Sequence, residues 1–345
     1  MPALDSKYQV SIIIPVYAVS SYIERCIKSV MRQTYDNIEC IIVDDVTPDD
    51  SIVKCEKMID HYQGPISFTI LHHDRNRGLS ASRNTGTNAA KGEYIFYLDG
   101  DDELTPDCIE ILIRPVQNDA TIEMVMGNRE AYSECESKIP TMRSRTSLKE
   151  VELDSNEDVR NHYFSTTGTF YNTAWNKLIK KSFLINHQLF FKEGILWEDV
   201  LWFFYVQKYL SHLYIIPDVT LLYYSRPQSI ITGTKIETQF AHWAIVYEEI
   251  ANHFSVEDKG REAKHYLKGF CGTLIYNYKD QNSYQVANLF KSALSEGPYM
   301  YERLYLAFSV FLSKSEFGRR FFALVRDSRK AIRTVLTNKC KNACR

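Results

Sequence analysis

Polar side chains follow three apolar runs of the chain, and one of these polar segments is an acidic turn. The apolar residues 94–98 lead directly into Asp99-Gly-Asp-Asp102. The carboxylates of Asp99 and Asp101 are one residue apart, so together they can hold Mg²⁺ or Mn²⁺ while the cation keeps sites open for phosphate oxygens. An Asp-x-Asp pair also occurs in ordinary solvated turns. Its position after a buried strand favours the metal interpretation.

Two other strand ends carry polar groups, Pro15-Val-Tyr17 after the first run and Asp44-Asp45 after the second. In open α/β sheets, ligands collect at the carboxyl ends of the strands, where the strand order switches direction. We therefore expect these groups and the acidic turn to line one ligand site. Clustered carboxylates repel one another, which predicts that something positive binds there.

The chain contains no glycine-rich phosphate loop. Neither G-x-G-x-x-G after a strand nor G-x-x-x-x-G-K-[ST] occurs, which disfavours a dinucleotide dehydrogenase and a P-loop enzyme. A diphosphate would then be neutralised by a metal ion and by arginines, for which the candidates are Arg77, Arg83 and Arg226. For each of these residues the alternative interpretation is an ordinary surface arginine, and this alternative is favoured for Arg77.

These groups need a scaffold, and the first third of the chain predicts one. Short β-branched runs alternate with helical periodicity, with strands expected at 11–14, 38–43, 66–71, 94–98 and 122–126 and helices at 21–33 and 51–62. The near-continuous apolar strands favour a parallel sheet covered on both faces. Residues 130–160 are expected at the surface, residues 173–209 are helical in pattern, and only helices are expected after about 235. The predicted fold class is α/β, a Rossmann-like nucleotide-binding open sheet with a helical C-terminal extension.

Composition excludes several classes of protein. The 345 residues are 45% hydrophobic, enough for a sizeable core. The 41 basic and 43 acidic residues nearly balance, so no global field predicts a nucleic-acid partner. The eight cysteines form no C-x-x-C pair, which disfavours a zinc site or a disulfide framework and favours a cytoplasmic protein with reduced thiols. We expect no signal peptide and no membrane span, since no stretch approaches the ~20 apolar residues required.

Five sequence segments follow one another in this order: Ser11-Ile-Ile-Ile-Pro-Val-Tyr17, Gln33-Thr34-Tyr35, Ile41-Ile-Val-Asp-Asp45, Arg77-Gly-Leu-Ser-Ala-Ser-Arg-Asn-Thr-Gly86 and Gly92-Glu-Tyr-Ile-Phe-Tyr-Leu-Asp-Gly-Asp-Asp102. Together they resemble the family 2 glycosyltransferases with the GT-A fold. The similarity weakens over 110–170 and returns in Trp175-Asn-Lys-Leu178, Trp197-Glu-Asp199 and residues 224–230. The C-terminal third contains no diagnostic match.

The resemblance implies an inverting, metal-dependent transferase of the bacterial polysaccharide type. It would move a sugar from a nucleoside-diphosphate donor, with a UDP-sugar favoured, to a hydroxyl of a glycan or lipid-linked glycan, and Mn²⁺ or Mg²⁺ would be its cofactor. The implied GT-A domain is 1–232, divided into a nucleotide-sugar-binding half at 1–105 and an acceptor half at 106–232, and a helical region follows at 233–345.

The same resemblance implies roles for individual residues. Asp45 would accept a hydrogen bond from the uracil ring, Asp99 would lie near the ribose and the metal, and Asp101 would ligate the metal. In the pair Glu198-Asp199 the aspartate would be the general base. A helix N-terminus stabilised by acidic residues is the structural alternative for this pair, and both interpretations can hold at once. The remaining donor-binding residues would be Pro15, Tyr17, Arg83 and Arg226.

Val46 departs from the family pattern, in which glycine usually follows the first acidic pair. A β-branched residue tolerates positive φ poorly. We therefore expect this turn to follow a different backbone path.

The C-terminal stretch 314–345 is basic, with ten Lys or Arg residues against two acids, and apolar residues recur in it at roughly helical spacing. Such a helix either lies on an anionic membrane surface, here the inner face of the cell membrane, or packs its apolar side on the protein. Both interpretations stay open, and so does a homo-oligomeric state.

Two other functions also stay open. A nucleotidyltransferase likewise combines an open sheet with an acidic metal turn. A catalytically inactive relative that binds nucleotide sugars or carbohydrate is the non-enzymatic alternative, and the presence of Asp101, Asp199 and Arg226 argues against it.

Overall fold

The structure is a computed structural model, and it describes residues 7–134, 141–145, 148–165 and 172–226 together with scattered positions between 229 and 266. The chain divides into two compact units, Met1–Lys235 and Ile236–Arg345. All elements named below belong to the first unit. The predicted domain boundaries and the helical region 233–345 remain predictions, and the basic stretch 314–345 lies outside the described residues.

The first half of the sheet is parallel. Its strands are β1 (Val10–Val16), β2 (Ile38–Asp44), β3 (Ser67–His72) and β4 (Tyr94–Tyr97), and its helices are α1 (Ile23–Met31), α2 (Ser51–Asp60) and α3 (Leu79–Ala89). β1 lies between β2 and β4, and β3 pairs with the other side of β2. The predicted alternation of strands and helices is therefore confirmed in this half.

Burial explains why these segments form the parallel half. Every residue of β1 is buried, and α1 contributes the buried stripe Ile23, Cys26, Ile27 and Val30. Strands that are apolar throughout suit a parallel sheet whose two faces are both covered. β3 differs, because it is the edge strand and three of its six residues are exposed. The expectation that every strand is covered on both faces is wrong for β3.

The second half of the sheet mixes strand directions. Its elements are β5 (Glu103–Leu104), α4 (Cys108–Asn118), β6 (Met124–Ser133), β7 (Thr141–Arg145), β8 (Val151–Leu153), α5 (Asn156–Ser165), β9 (Lys177–Lys180), α6 (Lys181–Asn186), α7 (Glu198–Tyr209) and β10 (Leu213–Ser225). β9 runs antiparallel between β4 and β6, and β10 runs parallel to β6. One sheet, in the order β3-β2-β1-β4-β9-β6-β10-β5, therefore spans both halves, with β7 on β6 and β8 on β10.

Two sequence expectations about this second half are wrong. Residues 173–209 are helical in pattern, but they include β9, whose four residues are too few to show a strand period. Residues 130–160 are more than a surface excursion, because they hold the end of β6, the strands β7 and β8 and the start of α5. In both places, pairing with strands that are distant in sequence decides the structure.

The described cysteines, Cys26, Cys40, Cys55 and Cys108, are buried free thiols. Among the described residues, no helix combines the length and the apolar character needed to cross a bilayer.

Candidate active site

The carboxyl ends of β1, β2 and β4 meet at one edge of the sheet. Because the parallel strands β2 and β4 flank β1, the strand order changes direction at β1, which is where ligands bind in open α/β sheets. Tyr17 follows β1 with an exposed side chain, Asp45 follows β2, and Asp99 lies in the turn after β4. This edge therefore brings together the strand-end groups that the sequence predicts.

Pro15 lies near the end of β1, and the acidic turn packs directly against it. A Cβ atom on Gly100 would lie 3.3 Å from the carbonyl oxygen of Pro15 and 3.2 Å from Cγ2 of Val19. A side chain at this position would push the turn away from β1, so glycine permits the close approach. The Asp-Gly-Asp spacing thus keeps the acidic turn next to β1, where Pro15 contributes its backbone.

Asp45 is almost fully buried, and it holds the loop between β3 and α3. Its Oδ1 accepts from the N–H of Arg77 and pairs with Nδ1 of His73, and its Oδ2 accepts from the N–H of Gly78, each at 2.7 Å. Nε2 of His73 lies 2.9 Å from Oγ1 of Thr85 in α3. An ionised carboxylate can accept about four hydrogen bonds. Capacity for one more remains, and the uracil contact stays a prediction.

Val46 has a φ of +56°, so the expectation of a different backbone path is wrong. Two hydrogen bonds hold this turn: the N–H of Thr47 donates to Oδ1 of Asp44 at 2.9 Å, and the N–H of Ala18 donates to Oγ1 of Thr47 at 2.8 Å. Positive φ is an outlier conformation for a β-branched residue. The surrounding contacts therefore impose on Val46 a conformation that glycine adopts without strain.

Each of the two predicted metal ligands is paired with an arginine. Oδ1 of Asp99 accepts from Nη2 of Arg83 at 2.8 Å, and Oδ2 of Asp101 accepts from Nε of Arg226 at 2.5 Å. The two carboxylate side chains remain 24% and 20% exposed. Both carboxylates are therefore accessible from the edge of the sheet, and Arg226 lies beside them.

Asp102 completes the acidic turn inside the protein. Its Oδ1 accepts from the N–H of Tyr224 in β10 at 3.0 Å, whereas its buried Oδ2 has no hydrogen-bond partner. Burial raises the pKa of Asp102 well above its usual range, and Asp101 and Asp99 raise it further. Burial and Asp99 also raise the pKa of Asp101, against the opposing effect of Arg226. Clustered oxygen donors of this kind are stabilised by a divalent cation, so the residues present fit Mg²⁺ or Mn²⁺.

Arg25 contacts the acidic turn, and the sequence reasoning missed it. Helical periodicity places Arg25 on the polar face of α1, yet its Nη2 donates to the carbonyl of Asp101 at 2.8 Å and its Nη1 pairs with Glu134 at 2.7 Å. Its guanidinium also lies 3.6 Å from the ring centre of Tyr224, which is a cation–π contact. Only the fold brings these segments together, so no sequence signal identified this role.

Arg83 joins the acidic turn to the acidic pair of α7. Its Nη2 donates to Asp99 and its Nη1 donates to Oε1 of Glu198, both at 2.8 Å. Burial by itself would lower the pKa of Arg83, but Asp99 and Glu198 raise that pKa well above its usual range. A buried cation of this kind depends on both of its carboxylate partners. Arg83 therefore links α3, the turn after β4 and the N-terminus of α7.

Glu198 and Asp199 begin α7, directly after Trp197, whose φ is +63°. Glu198 is buried, and Asp199 keeps part of its surface exposed. Burial and the adjacent Glu198 raise the pKa of Asp199 to about 7, against the opposing effect of Arg83. Such a carboxylate is suited to accept a proton near neutral pH. Acidic residues in the first turn also interact favourably with the positive end of the helix dipole. The structural and catalytic interpretations of this pair are therefore compatible.

The family model described as Glycosyl transferase family 2 matches residues 11–186. The matched region is slightly more than half of the chain, and it contains β1, the acidic turn and Arg83. This chain belongs to glycosyl transferase family 2.

Two curated relatives show how far the similarity of this family 2 chain extends. The glycosyltransferase GlyA of Streptococcus pneumoniae serotype 4 is 32% identical over 199 residues, which are 57% of this chain and 27% of GlyA. The cholesterol galactosyltransferase of Borreliella burgdorferi is 28% identical over 217 residues, which are 61% of this chain and 58% of the relative. The family 2 chain therefore spans less than two thirds of either protein.

Solved structures are similar over more of the family 2 chain. The crystal structure of S. aureus TarS 1-349 matches with a TM-score of 0.62 and 16% identity over 83% of this chain and 79% of that TarS fragment. The complex of the same TarS fragment with UDP-GlcNAc matches with a TM-score of 0.60 and 15% identity over 90% and 82%. At this identity the likeness concerns the fold, and it confirms the predicted GT-A-like mixed α/β open sheet.

Another group of candidate metal ligands occurs among the described residues of this family 2 member, away from the acidic turn. Ligand atoms of Asp119, Glu152 and His212 lie within 4.8 Å of one another, near the residues where β6 and β10 begin. Both ring nitrogens of His212 are already paired, with Oγ1 of Thr121 at 2.9 Å and with Glu152 at 3.0 Å. These hydrogen bonds account for the group, and we assign it no metal.

Proposed function

We propose that this chain transfers a sugar, with inversion, from a uridine diphosphate donor to a hydroxyl of a glycan or lipid-linked glycan. The observation that carries this proposal is the bridge made by Arg83, whose guanidinium lies 2.8 Å from Asp99 and 2.8 Å from Glu198. Because one guanidinium contacts both the acidic turn and the acidic pair of α7, the bridge supports a shared site. Direct transfer requires the donor and the general base to share such a site.

The strand ends form the donor side of the proposed site. Asp45 and the loop that it holds would bind the uracil ring, with Pro15 and Tyr17 beside them. Arg226, which pairs with Asp101 at 2.5 Å, would bind the diphosphate. The UDP-GlcNAc complex of TarS supports a uridine donor on this fold.

Asp99 and Asp101 would hold the metal ion. When bound, Mn²⁺ or Mg²⁺ neutralises the negative charge that develops on the departing diphosphate. Arg226 and Arg83 carry positive charge next to the same two carboxylates. This chain would therefore add two fixed cations to the charge that the metal supplies.

Asp199 is the proposed general base. The acceptor hydroxyl gives its proton to the Asp199 carboxylate while its oxygen bonds to the anomeric carbon. The bond from that carbon to the diphosphate oxygen breaks, and its electron pair leaves with the diphosphate. Attack from the opposite face inverts the anomeric centre. A pKa of about 7 leaves much of Asp199 ionised at neutral pH and still basic enough to take the proton.

Two substitutions that keep the shape of the side chain but remove its charge test this function. Asp101→Asn and Asp199→Asn should each reduce transfer from a UDP-sugar by about 10²-fold or more, because each removes a charge that the transition state uses. Asp60→Asn, at an exposed position of α2, is the matched control and should keep full activity. The donor is identified beforehand by thermal shift with and without Mn²⁺, since a ligand of the native state raises its apparent stability.

The same assay separates the other candidate functions. Full activity of Asp199→Asn would remove the base assignment. Formation of a nucleotide sugar from a sugar phosphate and a nucleoside triphosphate, with release of pyrophosphate, would show a nucleotidyltransferase instead. Binding of nucleotide sugars without transfer or hydrolysis would show a catalytically inactive relative.

We propose that the protein is located in the cytoplasm, with access to the inner face of the cell membrane. The type of acceptor is relevant to this location. A lipid-linked glycan would present its hydroxyl at that surface. The basic stretch 314–345 is the proposed membrane contact, and its alternative, packing on the protein, is separated by vesicle co-sedimentation with and without anionic lipid.

A further inference from the structure

His73 is a buried histidine that the proposed function does not use. It directly follows β3, and its N–H donates to the carbonyl of Asp44 at 2.9 Å, which continues the pairing with β2. Its side chain is only 4% exposed, and both ring nitrogens have partners. Nδ1 lies 2.7 Å from Oδ1 of Asp45, and Nε2 lies 2.9 Å from Oγ1 of Thr85 in α3. The ring is therefore fixed on two sides, by the donor side of the site and by α3.

The other hydrogen bonds of the Asp45 side chain show which form of the carboxyl group is present. The backbone N–H groups of Arg77 and Gly78 donate to Oδ1 and Oδ2, each at 2.7 Å. Backbone N–H groups only donate, so both oxygens act as acceptors here. This is the pattern of an ionised carboxylate, which has no hydrogen to give.

The carboxylate in turn decides which nitrogen of His73 carries a hydrogen. Because Asp45 only accepts, Nδ1 is the donor in the contact at 2.7 Å. In the neutral ring, Nε2 then accepts from the hydroxyl of Thr85. A neutral ring with its hydrogen on Nε2 would instead place two acceptors face to face. The contact with Thr85 thus supports the orientation that Asp45 requires.

His73 also decides which oxygen of Asp45 is left for a ligand. Each carboxylate oxygen offers about two acceptor positions. Oδ1 uses both, for Arg77 and His73, whereas Oδ2 uses one, for Gly78. The remaining position is on Oδ2. Without His73, a second position would open on Oδ1, and only the two backbone N–H groups would hold the carboxylate.

A carboxylate fixed in this way distinguishes between pyrimidine bases. Uracil presents an N–H donor at ring position 3, whereas cytosine presents an acceptor nitrogen at the same place. A group that can only accept attracts the first and repels the second, and a buried polar contact of this kind discriminates strongly. The discrimination requires that the carboxylate keeps its orientation and its acceptor character.

We propose that His73 is a positioning residue for recognition of the donor base: its Nδ1–H fixes the Asp45 carboxylate as an acceptor with one open position on Oδ2, which selects uracil over cytosine. This inference rests on the proposed function, in which Asp45 binds the uracil ring. His73 contacts no substrate in this role. It acts through Asp45, so its removal should change base preference and leave the chemistry of transfer intact.

Calorimetric titration of the full chain with UDP and with CDP, each with Mn²⁺, tests the inference. His73→Phe keeps a ring and removes both nitrogens. UDP should then bind about tenfold more weakly, whereas the affinity for CDP should change by less than about twofold. In transfer assays the KM for the donor should rise by a similar factor with little change in kcat, because the base is bound alike in the ground state and the transition state.

Two further variants separate the hydrogen bond from packing. His73→Asn is the conservative variant, because its amide nitrogen is as many bonds from the backbone as Nδ1, and it should restore most of the preference for UDP. His72→Phe is the matched control. His72 makes the corresponding contact with Asp44 at 2.9 Å, but its side chain is 55% exposed, and exposed pairs contribute little. This control should leave both affinities unchanged.

A measurement without any ligand tests the pairing itself. In wild-type protein with ¹⁵N-labelled histidine, the ring signals of His73 are assigned through bonds from the backbone. Their ¹⁵N chemical shifts show which nitrogen carries a hydrogen, and Nδ1 should carry one. This result does not depend on the folding of any variant, nor on the identity of the donor.

The outcomes are distinct. Equal weakening of UDP and CDP binding in His73→Phe would show that His73 only supports the loop, and an unchanged preference for UDP would likewise overturn the inference. A His73 ring without a hydrogen on Nδ1 would overturn the pairing. Equal affinity of the wild type for UDP and CDP would instead contradict the uracil contact of the proposed function, whichever nitrogen carries the hydrogen.

Discussion

At the site, individual residues are held in states that are unfavourable for them alone. Val46 has a positive φ, the pKa of Asp199 is raised to about 7, and Asp102 keeps a buried carboxylate oxygen without a hydrogen-bond partner. Such states persist where the surrounding structure imposes them, and they cluster at functional sites. Substitutions that relieve them should therefore stabilise the fold, even where they remove activity.

Val46→Gly should stabilise the protein. The substitution removes the strain of a β-branched residue at positive φ and adds backbone freedom to the unfolded chain, so the net gain in unfolding free energy should be about 0.5–1 kcal/mol. Urea denaturation measures it. Val53→Gly is the control, because Val53 is also exposed but lies inside α2, where glycine should destabilise by about 1 kcal/mol. Equal losses of unfolding free energy in both variants would contradict the strain at Val46.

Asp199→Asn should stabilise the protein more at pH 8 than at pH 5. Because the folded-state pKa of Asp199 is raised from its usual 3.8 to about 7, the native state binds the proton more tightly, and the wild type loses stability as the pH rises between these values. Asparagine removes that loss, with a gain on the order of 1–2 kcal/mol at pH 8. Thermal unfolding at both pH values measures the difference. A gain that is independent of pH would contradict the raised pKa.

Among the elements, α3 connects the parts of the site. It follows Gly78, whose φ is +88°, and it packs closely on β1, because a Cβ atom on Gly86 would collide with Cγ2 of Ile13. Glycine inside a helix is otherwise unfavourable by about 1 kcal/mol relative to alanine. Tertiary packing therefore decides where α3 lies, and that position carries Arg83 to both acidic groups.

Arg83→Lys should separate the acidic turn from α7. A lysine ammonium lacks the planar fork that reaches Asp99 and Glu198 together, so one carboxylate would be left buried without its partner, at about 3–5 kcal/mol of unfolding free energy. Urea denaturation and transfer assays should both show the loss. Arg77→Lys is the control from the preceding loop, because the Arg77–Glu193 pair is exposed, and it should change stability by less than about 1 kcal/mol.

At the scale of the whole first unit, a single sheet carries both sides of the site. β9 pairs with β4 on one side and with β6 on the other, so the parallel first half and the mixed second half of the sheet share hydrogen bonds. Asn176, just before β9, donates to the carbonyl of Asn128 at 2.8 Å and accepts from Thr220 at 2.6 Å. The two halves should therefore unfold together rather than separately.

Gly127→Ala tests this cooperativity. The added methyl would collide with Oγ1 of Thr220 in β10, and overpacking of this kind destabilises by about 1–3 kcal/mol. Because β6 belongs to the same sheet as β1, amide exchange should accelerate in β1 as well as in β6. Hydrogen exchange measured by mass spectrometry or NMR shows this. Unchanged protection of β1, with faster exchange in β6, would mean that the halves are independent.

Much of the parallel half of the sheet follows from local sequence patterns. Apolar runs predict β1, β2 and β4, and the residues that follow these strands include the acidic groups of the site. The four residues of β9 are too few for such a pattern. The conformation of Val46 was also mispredicted, because the contacts of Thr47 with Asp44 and Ala18 outweigh the preference of valine.

The amino-acid sequence by itself determined which strands end in polar groups and that these ends meet at one sheet edge, because apolar periodicity and the parallel βαβ connection depend on neighbouring residues. Only the tertiary structure decided how the groups are joined. Arg83 meets Glu198 across 115 positions of sequence, and Arg25 meets the acidic turn across 76 positions. Such contacts depend on how distant elements pack, and short-range sequence patterns do not record that packing.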